Sequence, residues 1–127
     1  MEQVILLNER KDQWEKLVGW KASMTVRHSR PVKIDLPART LVCVDGFVVG
    51  EMLVTHFLKT HNPAAFSKRA YTSPKTLEEY AADEPVYGWT IADVVVYDLP
   101  VELAELDLAE APASWKLMEV KEEFPVW

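Results

Sequence analysis

The sequence is poor in the residues that cross-links, membrane spans and phosphate-binding loops require. It has a single cysteine, Cys43, so it cannot form an internal disulfide. No apolar run approaches the roughly 20 residues that span a bilayer, and no secretory signal pattern opens the chain. These features predict a cytoplasmic protein without a membrane association. Cys43, inside the apolar run 41–44, is expected to be a small buried hydrophobe.

Motifs for metals and other cofactors are also missing. His56 and His61 lie five positions apart without a cysteine or carboxylate at ligand spacing, so we expect no zinc site. The four glycines do not form a phosphate-binding loop, and there is no nucleophile elbow. We therefore expect no cofactor.

Basic residues are outnumbered by acids, 14 to 20, which gives a formal net charge of −6. This charge repels phosphate at long range and disfavours broad, nonspecific nucleic-acid binding, although a local basic patch is compatible with it. The 127 residues, of which 49% are hydrophobic, have the length and composition of one folded domain spanning residues 1–127.

Residues 86–100, VYGWTIADVVVYDLP, are the stretch around which the remainder can be arranged. The β-branched run of valines at 94–96 and the proline at 100 predict a buried strand that is entered through a tight bend at Gly88. Earlier in the chain, Asp45-Gly46 separates two apolar runs and predicts a hairpin with a type I′ turn. Gly50 in the second run predicts a bulge or a close backbone approach.

Two short helices are predicted. Asn8 is expected to cap a helix over residues 9–18, and Ser73-Pro74 is typical of the start of a helix over 74–82. About six strands complete the inventory, and irregular loops or hairpins join them. This predicts an α+β fold, a small mixed or antiparallel β-barrel of about six strands flanked by two short helices.

Several segments carry a family likeness. The runs YGWTIAD at 87–93, VYD at 96–98 and PASW at 112–115 resemble the C-terminal half of ASCH domains in the PUA-like superfamily, common in bacteria and their phages. The hairpin ending at Glu51 and the segment 19–31 are similar to the corresponding family segments. The resemblance implies a PUA-like barrel with the first helix beside a cleft, and a cleft that binds RNA or a modified nucleoside.

One branch of the superfamily acts as acetylcytidine amidohydrolases that use a lysine, a threonine and a glutamate. The resemblance would make Thr25 the nucleophile, Lys21 its base and Glu79 or Glu51 the further acid. This chain departs from the family pattern, because ungapped alignment places Ala22 at the lysine position and because Thr90 stands where a histidine is usual. The alternative from the residues alone is that Thr25 and Arg27 form a solvated strand face with an ion pair to Glu15 or Glu51.

A binding interpretation uses a wider set of residues. Aromatic rings and an arginine can stack a base and hold a phosphate, as in readers of single-stranded RNA. The ligand-binding candidates are Trp20, Arg27, Glu51, Tyr87, Trp89 and Thr90, with Trp89 otherwise a core residue. Thr25, Arg27 and Glu51 are expected to converge on one open pocket.

A third hypothesis is a non-catalytic protein-interaction scaffold. The apolar C-terminal tail, residues 124–127, must pack on the domain or form a contact surface for a protein partner or a homodimer.

Overall fold

The computed structural model describes residues 1–126. The strands are β1 (Glu2–Asn8), β2 (Met24–Arg27), β3 (Ala38–Val44), β4 (Phe47–Thr60), β5 (Val86–Glu102) and β6 (Trp115–Val120). The helices are α1 (Lys11–Val18), α2 (Ser67–Ala70) and α3 (Pro74–Ala81), with 3₁₀ turns at Pro63–Phe66 and Leu103–Leu106. Among the described residues, no helix is long and apolar enough to cross a bilayer.

All six strands belong to one curved mixed sheet in the order β2-β5-β4-β3-β1-β6. Only β1 and β3 pair in parallel. Side chains bridge the two ends of the sheet: Arg27 Nη1 donates to Ser114 Oγ at 3.2 Å, and Trp115 Nε1 donates to Ser29 Oγ at 3.0 Å. The predicted α+β barrel of six strands with short flanking helices is confirmed.

The short apolar strand β1 contributes side chains to two cores, one on each face of the sheet. Its side chains alternate, so Ile5 and Leu7 join a core with Trp14 of α1, while Val4 and Leu6 join a second core on the other face. All four of these β1 side chains are fully buried. A strand covered on both faces has no polar alternation, which is why the run at 4–7 is continuously apolar.

The hairpin between β3 and β4 has the predicted turn. Asp45 and Gly46 both have positive φ, 51° and 85°, as a type I′ turn requires. Gly50 follows a register shift against β5, and a Cβ at this position would meet the carbonyl oxygen of Val95 and lie 2.7 Å from Trp14 Cζ2. The expected bulge and the expected close approach are therefore both confirmed.

The prediction that residues 86–100 are buried is correct only for the first half of β5. Trp89 is fully buried, whereas Val95, Val96 and Leu99 are 51%, 53% and 62% exposed. β2 has four residues and pairs only with positions 87–90 of β5, so the later part of β5 lacks this neighbour. The tail adjacent to it is partly packed: Phe124 contacts the ring of Tyr97, and Trp127 lies outside the described residues.

The prediction that Asn8 caps the first helix is wrong. Asn8 is the last residue of β1, where its backbone N–H donates to Ser114 O and its side chain donates to Pro112 O. These bonds hold Asn8 in the sheet, and α1 starts three residues later with no side-chain cap. The predicted cap of α3 is confirmed, because Ser73 Oγ accepts from the Thr76 N–H at 3.1 Å.

Ser73→Ala should lower the free energy of unfolding by about 1 kcal/mol, because an amide of the first turn of α3 loses its acceptor. Ser73→Asp is the control, since it keeps an acceptor oxygen and should remain close to the wild-type stability. Urea unfolding followed by circular dichroism measures both changes. Equal stability of the alanine variant and the wild type would contradict the role of this cap.

Candidate functional site

A pocket of about 260 Å³ opens between the start of α1, the strand β2 and the helix α3. Its position agrees with the expected cleft beside the first helix. Its polar lining includes Glu9, Arg10, Gln13, Thr25, Arg27 and Tyr80.

A buried group of three residues, Glu9, Thr25 and Arg27, forms the polar centre of this pocket. Glu9 Oε2 accepts a hydrogen bond from Thr25 Oγ1 at 2.7 Å and an ion pair from Arg27 Nη2 at 2.8 Å. Glu9 Oε1 accepts the backbone N–H of Arg10 at 3.0 Å. Thr25 and Arg27 are two positions apart on β2, so they share the face that points toward Glu9.

Arg27 also ties three parts of the chain together. Its Nη1 donates to the carbonyl oxygen of Asn8 at 2.9 Å and to Ser114 Oγ at 3.2 Å. The guanidinium therefore links β2 to the end of β1 and to the residue before β6. The side chains of Arg27 and Glu9 are only 10% and 4% exposed, so their charges compensate each other away from bulk water.

Gln13 fixes the helix against the floor of the pocket. Its Nε2 donates to Met24 O at 3.2 Å and to Ala70 O at 3.0 Å, which joins α1 to β2 and α2. Two accepting carbonyls define the orientation of the amide, because the opposite orientation would face oxygen with oxygen. Gln13 Oε1 is buried and has no hydrogen-bond partner among residues 1–126.

The rim of the pocket carries an aromatic pair and an exposed charge. The ring of Tyr80 stacks on His28 with centroids 4.0 Å apart and planes 16° from parallel. Partial burial raises the pKa of the Tyr80 hydroxyl. The Arg10 side chain is well exposed, and its Nε lies 3.6 Å from Asp12 Oδ1. Because it is exposed, the guanidinium can reach an anionic ligand at the rim.

Glu51 lies in a different cluster, which corrects the expectation that it shares a pocket with Thr25 and Arg27. Arg39 donates to both carboxylate oxygens of Glu51, at 3.0 and 2.8 Å, and Tyr97 donates to Glu51 Oε2 at 2.5 Å. Burial is the main cause that raises the pKa of the Tyr97 hydroxyl, and its hydrogen bond to the Glu51 carboxylate raises the pKa further. Arg39 also donates to the carbonyl oxygens of Glu122 and Phe124, so this cluster anchors the C-terminal segment.

The residues suggested for catalysis other than Thr25 do not line the pocket. Lys21 Nζ lies 5.9 Å from the ring centroid of Tyr71, on the outer surface. Glu79 faces solvent and lies 3.9 Å from Lys75 of the same helix. The lysine, threonine and glutamate are therefore not assembled as an amidohydrolase would require.

The aromatic candidates are also distributed differently from the expected arrangement. Trp89 has no exposed surface, packs against Phe57 and donates Nε1–H to Ser29 O, so it cannot stack a base. Tyr87 packs against the same core, and Thr90 pairs with Met24 in the sheet without lining the pocket. Trp20 is 77% exposed and lies beyond the end of α1, outside the pocket lining.

The pocket also contains residues that the sequence reasoning missed. The helix predicted over residues 9–18 includes Glu9 and the helix predicted over 74–82 includes Tyr80, but neither residue is predicted to line a pocket. Gln13 had a recognisable signal, because it lies four residues before Leu17 and therefore falls on the buried face of α1. Glu9 had none, since its position beside Arg27 depends on the curvature of the sheet.

The six-stranded barrel is similar in fold to an ASCH protein of known structure. The ASCH protein of Zymomonas mobilis has this fold, with a TM-score of 0.78 and 16% sequence identity, over 91% of this chain and 87% of the other. A tyrosine-to-phenylalanine variant of that protein has a TM-score of 0.78 and 16% sequence identity, over 91% of this chain and 89% of the other. A serine-to-alanine variant has a TM-score of 0.78 and 14% sequence identity, over 91% of this chain and 87% of the other. No family model and no curated protein sequence matches the chain.

Proposed function

We propose that the chain binds a nucleoside unit of single-stranded RNA, or a modified nucleoside, in the pocket between α1, β2 and α3. The observation that carries this proposal is the ion pair of Glu9 and Arg27, hydrogen-bonded to Thr25 and buried beside an open pocket of about 260 Å³. A small concave site with a few fixed polar groups suits a ligand of the size of one base. The resemblance to ASCH domains supports the same ligand class.

The rim supplies contacts of the kind that RNA recognition uses. Tyr80 offers an aromatic ring for a base, while Thr72 and Thr76 bring hydroxyl groups that can bond the ribose. Arg10 brings an exposed guanidinium that can bind phosphate. The pocket thus combines a stacking surface, hydroxyls and the exposed guanidinium of Arg10, although the chain as a whole is acidic.

A basic and aromatic surface beside the pocket favours an RNA strand over a free nucleoside. Lys16 and Lys21 both place Nζ 5.9 Å from the ring centroid of Tyr71, which is 52% exposed. Trp20, in the turn after α1, is also exposed, and Thr72, which follows Tyr71, lines the pocket. Neighbouring nucleotides can stack on these rings while the lysines neutralise their phosphates. In this proposal Lys21 binds phosphate and does not act as a base.

Amidohydrolysis is the second candidate, because Thr25 Oγ1 lies 2.7 Å from a carboxylate that could accept its proton. The other contacts of Glu9 oppose this role: Arg27 and the Arg10 amide occupy its oxygens, and Lys21 lies outside the pocket. We therefore expect binding without hydrolysis of N-acetylcytidine.

A fluorescent single-stranded oligoribonucleotide tests the proposal by anisotropy titration. Tyr80→Ala should weaken binding by about tenfold or more, because stacking of one base contributes about 1–3 kcal/mol. Lys16→Ala with Lys21→Ala should weaken binding and reduce the slope of log affinity against log salt by about 1.4. Lys33→Ala with Lys116→Ala removes two exposed lysines outside the pocket lining, so it is the charge-matched control and should leave affinity unchanged.

Chromatography of N-acetylcytidine incubated with the protein tests the competing activity. Release of acetate that stops in Thr25→Val would favour the amidohydrolase. If Tyr80→Ala and the Lys16→Ala, Lys21→Ala double variant both bind RNA as tightly as the wild type, the binding proposal is contradicted. Circular dichroism must show that these variants are folded.

A further inference from the structure

A second and larger cavity, of about 560 Å³, lies between the end of β5, the 3₁₀ turn Leu103–Leu106, β6 and the C-terminal tail. It shares no lining residue with the first pocket. Its apolar lining includes Met1, Leu99, Leu106, Met118, Phe124 and Val126. We call this cavity the tail groove.

Part of this apolar lining is open to solvent. Leu99, Val126 and Met1 are 62%, 73% and 75% exposed. Scattered exposed apolar side chains are ordinary, but several that line one groove form a patch with the character of an interaction site. The tail groove is therefore a docking candidate on grounds of shape and apolar surface together.

The groove also borders an open edge of the sheet. β6 is the last strand in the sheet order, and in residues 1–126 it pairs on one side only, with β1. Met118, Glu119 and Val120 of β6 line the groove. An extended peptide lying there could pair its backbone with β6 while its side chains enter the apolar groove.

Charge determines which kind of segment fits. Among residues 1–126, the groove is lined by three acids, Glu105, Asp107 and Glu119, against one basic side chain, Lys121, and the amino group of Met1. A second copy of this chain, docked by two-fold symmetry, would place the same acids against one another. A segment that carries lysine or arginine beside its apolar residues would complement them.

We propose that the tail groove docks an extended segment of another protein in which apolar and basic side chains alternate, added as a strand to β6. The apolar side chains enter the groove, and the basic side chains point outward, where they can reach the exposed acids at its rim, Glu105, Asp107 and Glu119. Because the two cavities share no residue, this docking is independent of RNA binding.

The probe is a fluorescein-labelled synthetic peptide of about eight alternating valines and lysines, a length that matches β6 with its flanks. We expect saturable binding by fluorescence anisotropy and no binding of the valine–glutamate counterpart. Leu99→Asp should weaken binding by at least about tenfold, because it places a charge in the apolar groove without disturbing the core. Glu105→Lys should weaken binding by about threefold or more, and Glu78→Lys, the same charge change on α3, should have little effect.

Hydrogen exchange supplies a readout that nonspecific charge attraction would not alter. The valine–lysine peptide should slow exchange of the β6 amides in the wild type and not in Leu99→Asp. Absence of binding, equal affinity in Leu99→Asp, or protection confined to other strands would each overturn the proposal. A dimer, detected by sedimentation and lost in Leu99→Asp, would identify a second copy as the occupant and would also overturn it.

Discussion

Arg27→Met should lower the free energy of unfolding by about 3–5 kcal/mol, because it leaves the Glu9 carboxylate buried without its cation. The Glu9 side chain is 4% exposed although it lines the pocket, so water in the pocket reaches the carboxylate poorly and cannot fully replace the guanidinium. The same change removes the bonds from Arg27 to Asn8 O and Ser114 Oγ, which link the two ends of the sheet. Urea unfolding followed by circular dichroism measures the loss.

A double-mutant cycle distinguishes the ion pair from simple loss of packing. Glu9→Gln removes the negative charge, so Arg27→Met should cost clearly less in the Glu9→Gln background than in the wild type. Thr25→Val tests the neutral member of the group and should cost only about 1–3 kcal/mol. If the Arg27 and Glu9 changes are additive, the pair is not the source of the effect.

The local elements of the fold were largely predictable because their signals are local. Asp45-Gly46 requires two positive φ angles that few other dipeptides accept, and Ser73-Pro74 supplies both an acceptor and a fixed φ at the start of a helix. Asn8 had an equally good capping side chain, yet it lies in β1, because a tertiary contact with Ser114 extends the strand. Capping residues thus indicate a helix start only where no strand partner competes for the backbone.

The candidate site was predictable in part for the same reason. Thr25 and Arg27 lie two positions apart, so any strand brings them to one face. Their acidic partner could not be chosen from sequence, because Glu9, Glu15 and Glu51 were all available acids. β1 and β2 are separated by three strands in the sheet order, and only the curvature of the barrel brings Glu9 to Arg27.

The exposure of the aromatic residues was also not predictable from the sequence. Trp20 and Trp89 both looked suitable for stacking, but one is 77% exposed and the other is fully buried. Trp20 lies in the turn after α1, whereas Trp89 faces the core from β5, and the sequence pattern does not distinguish these two environments. Tyr80 reached the pocket rim because α3 presents Leu77 and Ala81 to a separate small core. The helical period predicts Leu77 and Ala81 on one buried face, but it does not predict their partners Met24, Phe66 and Val86.

Gly50→Ala should be as damaging as the loss of the ion pair, with a cost of about 3 kcal/mol or more. The added methyl group would meet the carbonyl oxygen of Val95 and lie 2.7 Å from Trp14 Cζ2. The carbonyl belongs to the neighbouring strand, so relief requires β4 and β5 to separate at the bulge. Chemical denaturation followed by circular dichroism measures the change, and low yield of folded protein would be its extreme form.

Gly88→Ala is the matched control, because its new methyl group would meet Met24 Sδ at 2.6 Å and Cε at 2.7 Å. These atoms end a flexible side chain that can rotate away, so we expect a cost of only about 1 kcal/mol.

Trp14→Phe in the Gly50→Ala background separates the two contacts at the bulge, since it removes the outer indole ring and leaves the Val95 carbonyl in place. Stability should then recover only in part, because the backbone contact between β4 and β5 persists. Full recovery of the free energy of unfolding would show that Gly50 is needed for the packing of α1. An equal loss of stability in Gly50→Ala and Gly88→Ala would contradict the importance of the backbone contact.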